Sequence, residues 1–594
     1  MTIPQRLEIF RRKMKESGLQ AYLIPSSDPH QSEYVADHWQ ARKWISGFTG
    51  SAGTLSIMEN EAGLWTDSRY FLQAEMELKN SSITLFKMTN QFEPQYVDYL
   101  VQTLPKGSVV GIDGKVWSRQ TFEVLDRKLK NAGLFLHMDM DLISGIWEER
   151  PLVSAEKIIL HDPKLCGKTA EEKLAEIRKS MTVQKVEYHF IPALDDIAWS
   201  YNIRGNDVDY NPVVISFAMI GLEKAWLFID DQKLDHQHHF YFKDNNIEIQ
   251  PYRNIQTFLN NLPEDKNVLV DPAICSAHLY TFISARIVEG TSIPKMLKAI
   301  KNKSEISNIR HVMAKDGAAL AHTFFWLENT LGKDDIYEYT VLEKLAFYRS
   351  QQELYFGESF GAIIGYKGNG AIIHYAPPKN GSSLIKKDGI LLVDSGGQYH
   401  DGTTDITRTL TLDAPSENTK KHYTLILKGM ISLSKIRFPK GTYGGQLDTL
   451  ARQFLWENGL NYLHGTGHGV GYFLNVHEPP QGFATIQSER GRTIIEPGML
   501  TSNEPGYYIP DTYGMRIENL IVCNEPDQDG FLSFETLTLY PFDVHLIEQR
   551  MLTPTEIKWI NEYHDMVYER VSPLLNDEHK DWFREKCCNL AWND

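Results

Sequence analysis

The chain has 594 residues, 42% hydrophobic and 23% charged, with a formal net charge of −16. That length exceeds one hydrophobic core and calls for two to four domains. The acidic balance weighs against nonspecific attachment to nucleic acid or to an anionic membrane surface, and the five cysteines (Cys166, Cys275, Cys523, Cys587, Cys588) follow neither a disulfide nor a zinc spacing, as in a reducing compartment.

In chain order, Leu7, Phe10 and Met14 fall at amphipathic spacing, so the N-terminus reads as a helix over Leu7–Ser17 rather than a targeting segment. No uncharged apolar run approaches the ~18 residues a membrane span needs. Two stretches then echo one another. Ala21–Asp28 resembles Tyr188–Asp195, Trp44–Gly50 resembles Tyr201–Asn206, and Leu64–Asp67 resembles Leu227–Asp230. Each copy puts an amphipathic helix (Leu7–Ser17, Ala170–Lys185) before an apolar strand, as in an α/β unit. A period near 165 residues is too long for a solenoid and points to a duplicated domain. Junctions are expected around Trp147–Pro163 and in the lysine-rich stretch Ile293–Ser304. They give domains 1–152, 153–298 and 299–594, the last with a helical extension from about 550.

Further helices are expected over Ser304–Leu331, Thr340–Arg349, Asn418–Lys435 and Thr553–Phe583. Gly317 lies on the apolar face of the first, which lowers helix propensity or marks a close contact. The stripe Ile557, Ile560, Tyr563, Met566 and Val567 of the last suits packing onto the preceding domain, with a dimer surface as the alternative.

The chemistry concentrates between residues 394 and 518. Ile390–Val393 and Ile406–Leu412 read as strands around a turn signal. A turn centred near Tyr399-His400 sets Asp394 opposite Asp405, where Cβ atoms are about 5 Å apart. A turn centred on Asp511 sets Glu504 opposite Glu518 in the same way. Between them runs His464-Gly-Thr-Gly-His468-Gly-Val-Gly. Its glycines disfavour a helix, and in an extended segment both histidines project to one side. Carboxylates this close repel unless a cation lies between them. Four carboxylates are too many for one ion, so a two-metal site is expected. Carboxylate and imidazole donors suit Mn, Co or Zn.

Asp394-Ser-Gly, Asp405-Ile-Thr-Arg-Thr, the His464–Gly471 segment, Asn475-Val-His477-Glu-Pro, Glu504-Pro-Gly-Tyr-Tyr508 and Arg516-Ile-Glu518-Asn resemble the motifs of the pita-bread metallopeptidases. Gly370–Pro377, Leu194–Gly205 and Phe534–Pro541 bring the chain nearest the cytosolic, three-domain Xaa-Pro aminopeptidases, over nearly its whole length. The resemblance implies two related creatinase-like α/β domains and an α+β pita-bread catalytic domain. It implies five metal ligands, with Asp405 and Glu518 bridging, Asp394 completing one ion's shell, and His468 with Glu504 the other's. The ions are expected to be Mn²⁺, or else Co²⁺ or Zn²⁺, and to lower the pKa of a shared water for attack on an Xaa-Pro bond.

Glu504 is expected to carry a proton to the leaving nitrogen. His374 and His477 are expected to flank the scissile carbonyl and the proline, and His464 to help hold the substrate. Arg516 is expected to pair with Asp394 and Tyr508 and so orient a ligand. Tyr375, Phe473 and Tyr472 are the candidates for a proline pocket. Expected partners are peptides with proline second and a second copy of the chain, with no nucleic acid or membrane, in the cytoplasm. Asn503 stands where some relatives carry Asp, and Phe360–Asn369 diverges. A prolidase-type dipeptidase on the same fold, or a metal-free peptide-binding protein, are the competing readings.

Overall fold

The computed structural model describes residues 1–90 and 93–591, so the last three residues of the expected C-terminal extension lie outside the described residues. The chain divides into two compact units. One comprises residues 1–163 and 168–296, the other 164–167 and the chain from Leu297 onward.

The first unit holds two six-stranded sheets with one wiring diagram. Helix α1 (Ile3–Glu16) starts on a Thr2/Gln5 capping box and buries Leu7, Phe10 and Met14. It leads into β1 (Ala21–Ile24), followed by β2 (Thr54–Met58), β3 (Ala62–Thr66), β4 (Thr84–Lys87), β5 (Val109–Gly111) and β6 (Phe135–His137), in the sheet order β4-β3-β2-β1-β5-β6. Helix α2 (Ala170–Gln184), capped the same way by Thr169 and Glu172, leads into β7 (Tyr188–Ile191). After it come β8 (Phe217–Gly221), β9 (Ala225–Ile229), β10 (Ile247–Pro251), β11 (Asn267–Val270) and β12 (Arg286–Glu289), in the order β10-β9-β8-β7-β11-β12.

Pair by pair the directions agree: β1 and β7 each run antiparallel to the next strand of the sequence and parallel to the fourth after it. In β1, Tyr22 and Ile24 join one apolar cluster while Ala21 and Leu23 join another. Burial on both faces explains why the strand is an unbroken apolar run. The expected echo of Trp44–Gly50 with Tyr201–Asn206 does not extend to local structure. The former begins inside the helix Ala41–Ser46, whereas the latter follows the helix Leu194–Ser200. The two insertions meet the shared strands differently.

The second unit carries the motif-rich segment. Helix α3 (Lys303–Thr330) opens on an Asn302/Glu305 capping box. At Gly317 a Cβ would stand 2.3 Å from the Leu539 carbonyl oxygen, so this glycine marks a close contact of backbones. Glycine to alanine inside a helix is normally stabilising. Here Gly317→Ala is expected to destabilise by about 1–3 kcal/mol through overpacking, to be read from urea unfolding midpoints.

Strands β13 (Ile363–Tyr366), β14 (Ile390–Ser395) and β17 (Ile406–Thr411) form one sheet, with the short pair β15 (Gly397–Tyr399) and β16 (Gly402–Thr403) beyond it. Helices α4 (Glu417–Ser434) and α5 (Gly444–Trp456) follow. A five-stranded sheet then combines β18 (Gly467–Gly469), β19 (Glu478–Phe483), β20 (Leu500–Asn503), β23 (Asn519–Cys523) and β24 (Phe534–Thr536) in the order β19-β18-β20-β23-β24, and β21 (Gly506–Ile509) pairs with β22 (Tyr513–Arg516). The tail, expected as one helix, is broken at Ser572-Pro573 into α6 (Pro554–Val571) and a second helix, Asp577–Lys586. The stripe of α6 packs inward: Ile557, Ile560, Tyr563 and Val567 belong to the core of this unit, and Met566 lies against it.

Candidate metal centre

Both hairpins place their carboxylates by register. In the first, Asp394 pairs with Thr407 and Ser395 with Ile406, and the pairs Gln398–Thr403 and Tyr399–Gly402 continue the same register. The turn is therefore centred between His400 and Asp401, one residue later than expected. Asp405 sits two residues along from Asp394's partner rather than directly opposite it. An offset of two keeps both carboxylates on one face. Gly396 permits the crossing, since a Cβ there would lie 2.0 Å from the Thr404 carbonyl oxygen.

In the second hairpin, Asn503 pairs with Asn519 and Gly506 with Arg516. Both ladders keep a turn centred on Asp511, and Glu504 and Glu518 fall opposite one another in the gap between them. There each backbone N–H turns to another segment, Glu504 to the Thr466 carbonyl at 2.8 Å and Glu518 to that of Thr407 at 3.1 Å.

His468 reaches the same place from β18. Its glycine neighbours allow close approach: a Cβ on Gly467 would lie 1.8 Å from the Ser502 carbonyl oxygen, and on Gly469 2.3 Å from that of Glu478. The Nδ1 of His468 lies 2.9 Å from the Gly469 carbonyl oxygen, to which it donates. In the neutral ring the lone pair is then on Nε2. Nε2 lies 3.4 Å from Asp405 and 3.6 Å from Glu504.

Asp405, His468 and Glu518 are buried, and each offers a ligand atom within 4.8 Å of the others. Burial first, and then the neighbouring carboxylates, hold Asp405 and Glu518 well above the usual carboxylate range. Asp394 is buried too, and its Oδ1 has no hydrogen-bond partner among the described residues. Repelling carboxylates, an orphaned oxygen and an imidazole lone pair form a donor set that fits divalent cations.

Behind the carboxylates lies a polar relay. Arg516, 2% exposed, donates through Nη2 to Asp394, through Nε to the Thr407 hydroxyl at 3.2 Å and through Nη1 to the Tyr508 hydroxyl at 2.6 Å. Burial pushes the Tyr508 phenol up to about 12, so it stays protonated and donates to His464 Nε2 at 2.9 Å. His464 is thus linked to the centre through Tyr508 and Arg516. His477 lies against His468, ring centroids 4.2 Å apart. His374 stands half-buried in the irregular segment after the short turn Lys367–Ala371.

Of the three aromatic candidates for a proline pocket, Tyr472 spends its hydroxyl on the Leu165 carbonyl, Tyr375 bonds Glu338, and Phe473 is fully buried against His400 and Phe356. Asn503 donates to the Met430 carbonyl and to Ser434.

Sequence reasoning passed over two hydroxyls. Thr407 donates to Glu518 Oε2 at 2.8 Å, and Ser502 accepts the His468 N–H and lies 3.4 Å from Glu504. Each stands two residues from a carboxylate just beyond the end of its strand, and that period-2 spacing was the available signal. Thr407→Val is expected to weaken metal binding about 10–100-fold, as loss of a group orienting a ligand does, measured by calorimetric titration of Mn²⁺.

Residues 307–525 match the family model described as metallopeptidase family M24. Residues 6–139 and 149–305 each match a creatinase/prolidase N-terminal domain, and 530–590 match the C-terminal region of peptidase M24. A probable Xaa-Pro aminopeptidase P of Paracoccidioides brasiliensis (strain Pb18) is 38% identical over 608 residues, covering 98% of each chain. The chain belongs to the Xaa-Pro aminopeptidase P family of M24 metallopeptidases. An X-prolyl aminopeptidase from Caenorhabditis elegans, described as a cytosolic enzyme with a di-nuclear active site, superimposes with a TM-score of 0.95 at 33% identity, over 99% of this chain and 100% of that one. The prolidase of Pyrococcus horikoshii OT3 covers 62% of this chain and 99% of its own at 21% identity and a TM-score of 0.50, a likeness of fold alone.

Proposed function

We propose that this protein is a metal-dependent aminopeptidase that removes the N-terminal residue from peptides with proline in second position. The buried group Asp405, His468 and Glu518, with Glu504 3.6 Å from His468 and Asp394 close enough to act on Asp405, carries the reading, and the full-length likeness to Xaa-Pro aminopeptidases supports it. These five residues hold two divalent cations. Four carboxylates and one imidazole favour Mn²⁺. When bound, the pair supplies a water of lowered pKa and a Lewis acid for the scissile carbonyl.

The chain's own residues do the rest. Arg516 fixes Asp394 from behind, and Thr407 fixes Glu518. Glu504 has the most exposed side chain of the four carboxylates, at 18%, which suits it to carry a proton to the departing proline nitrogen. That nitrogen belongs to a tertiary amide and must gain a proton to leave. His477, beside His468, and His374 face the scissile carbonyl and the proline, and His464 holds the substrate through its bond to Tyr508.

The protein works in the cytoplasm as a homodimer. The cytosolic description of the nematode relative supports the first, as do five cysteines that form no disulfide among the described residues. The exposed apolar side chains of Tyr443, Trp456, Leu463 and Ile486, on or beside α5, support the second. Light scattering on Trp456→Glu tests it, a monomer being expected.

The activity is tested with an Arg-Pro-Pro peptide and an Arg-Pro dipeptide, each with Mn²⁺ and with chelator. Chelator-sensitive release of arginine from the longer peptide is expected. Turnover of the dipeptide alone would make the protein a prolidase, and no turnover with any cation a peptide-binding protein. Stripping the metal is expected to lower Tm by about 5 °C per ion held at 100-fold its Kd, read by scanning fluorimetry.

A further inference from the structure

We propose that Glu338 is a positioning residue for catalysis: its buried carboxylate clamps both ends of the irregular segment that carries His374. The inference rests on the role assigned above to His374.

Glu338 opens the helix Glu338–Ser350 and is 0% exposed. Oε1 accepts from the Tyr366 N–H at 2.8 Å and from Asn369 Nδ2 at 2.9 Å. Oε2 accepts from the Tyr375 hydroxyl at 2.8 Å and from the Ser383 N–H at 3.0 Å. Tyr366 and Asn369 precede His374, and Tyr375 and Ser383 follow it. One carboxylate therefore ties the end of β13 and the short turn before His374 to two points of the irregular stretch around and after it. Asn369 closes the ring with bonds to the Tyr375 hydroxyl at 3.1 Å and the Ser383 hydroxyl at 3.0 Å.

The root of the segment is fixed sterically as well. A Cβ on Gly365 would lie 2.5 Å from the Gly370 Cα, and a Cβ on Gly514 1.8 Å from the Gly370 carbonyl oxygen. Gly514 belongs to β22, the strand that ends on Arg516. The segment is thus held against the strand that orients Asp394, and its remaining freedom lies between Ala371 and Ser383. Among the described residues, Tyr375, next to His374, is the one side chain that ties this stretch to Glu338 near its middle. A carboxylate is suited to the place because it only accepts, and every group facing it donates.

The test is a double-mutant cycle. Tyr375→Phe removes two bonds, to Glu338 and from Asn369, and leaves Glu338 with its other donors, so the fold is retained. Glu338→Gln is the stronger variant, since its amide N–H₂ faces a donor. Roughly a tenfold loss of kcat/KM is expected for Tyr375→Phe and more for Glu338→Gln, because displacement of a catalytic group by an ångström costs up to about a hundredfold. Tm and Mn²⁺ affinity of Tyr375→Phe stay at the unsubstituted values. In a His374→Ala background the Tyr375→Phe loss should vanish, which a merely structural role would not produce. Losses that multiply in the double variant, or full activity of Tyr375→Phe beside an impaired His374→Ala, overturn the proposal. Full activity of His374→Ala overturns the role of His374 itself, and the clamp's catalytic meaning with it.

Discussion

Glu518→Gln is expected to cut turnover by roughly 10³-fold or more, since on the proposed function it would remove a charged donor that holds the metal at the reacting centre. The same change should make the metal-stripped protein more heat-resistant. Glu518 lies with Asp405 in a buried pocket where burial first, and then neighbouring carboxylates, raise both pKa values: Asp394 and Glu504 act on Asp405, and Asp405 acts on Glu518. A carboxylate whose pKa is raised by folding contributes most stability below its unfolded value, and that contribution is lost as pH rises through the folded value. The stripped protein is thus expected to lose Tm from acid toward alkaline pH. Glu518→Gln should flatten that slope, because one of the two buried carboxyls whose pKa is raised no longer titrates. With Mn²⁺ the order reverses, and the unsubstituted protein gains more. Scanning fluorimetry across pH, with and without Mn²⁺, separates these cases. A variant that gains as much Tm from Mn²⁺ as the parent removes Glu518 from the ligand set.

Arg408→Met is expected to cost about 3–5 kcal/mol, since several buried acceptors lose their donor at roughly 1–3 kcal/mol for each one left unsatisfied. Arg408 is 1% exposed and has no carboxylate partner among its hydrogen bonds. Its guanidinium donates to the carbonyls of Thr407, Glu518, Tyr540 and Pro541, to Asn519 Oδ1 and to the Tyr563 hydroxyl, and it lies 4.8 Å from the Phe542 ring centroid. These acceptors come from the chain at Thr407 and at Glu518-Asn519, beside two of the buried carboxylates, and from the tail beyond residue 537. Arg408→Lys should recover only part of the loss, because one ammonium cannot span the same fork. Urea unfolding measures both, and a loss under about 1 kcal/mol for Met would mean that the carbonyls find other donors.

The sequence carried most of this architecture because its signals were of period two and period 3.6. The wiring shared by the two N-terminal sheets was visible in Ala21–Asp28 and Tyr188–Asp195, where strand and flanking residues recur together. The face of each carboxylate was legible, since alternation fixes the face even where the turn centre was misjudged by one residue at His400. Finer geometry was not. The break at Ser572-Pro573 was hidden by apolar residues that continue through it. The clamp of Glu338 joins residues up to 45 apart in sequence, and no local pattern announces such a contact. Arg408 stood inside a motif already read for its neighbours, and only the packed tail gives it acceptors.

Because both pairs of acidic residues sit at fixed steps from a turn, the chain can change length near them in few places. One residue added between Asp394 and Tyr399, or between Gly402 and Asp405, would rotate a carboxylate to the far side of its strand. Residues added at His400-Asp401 would only enlarge a bend. Over evolutionary time the arms should hold their length while the tip between them drifts. A library of single-residue insertions scored for activity should therefore show silent positions at the tip flanked by intolerant ones.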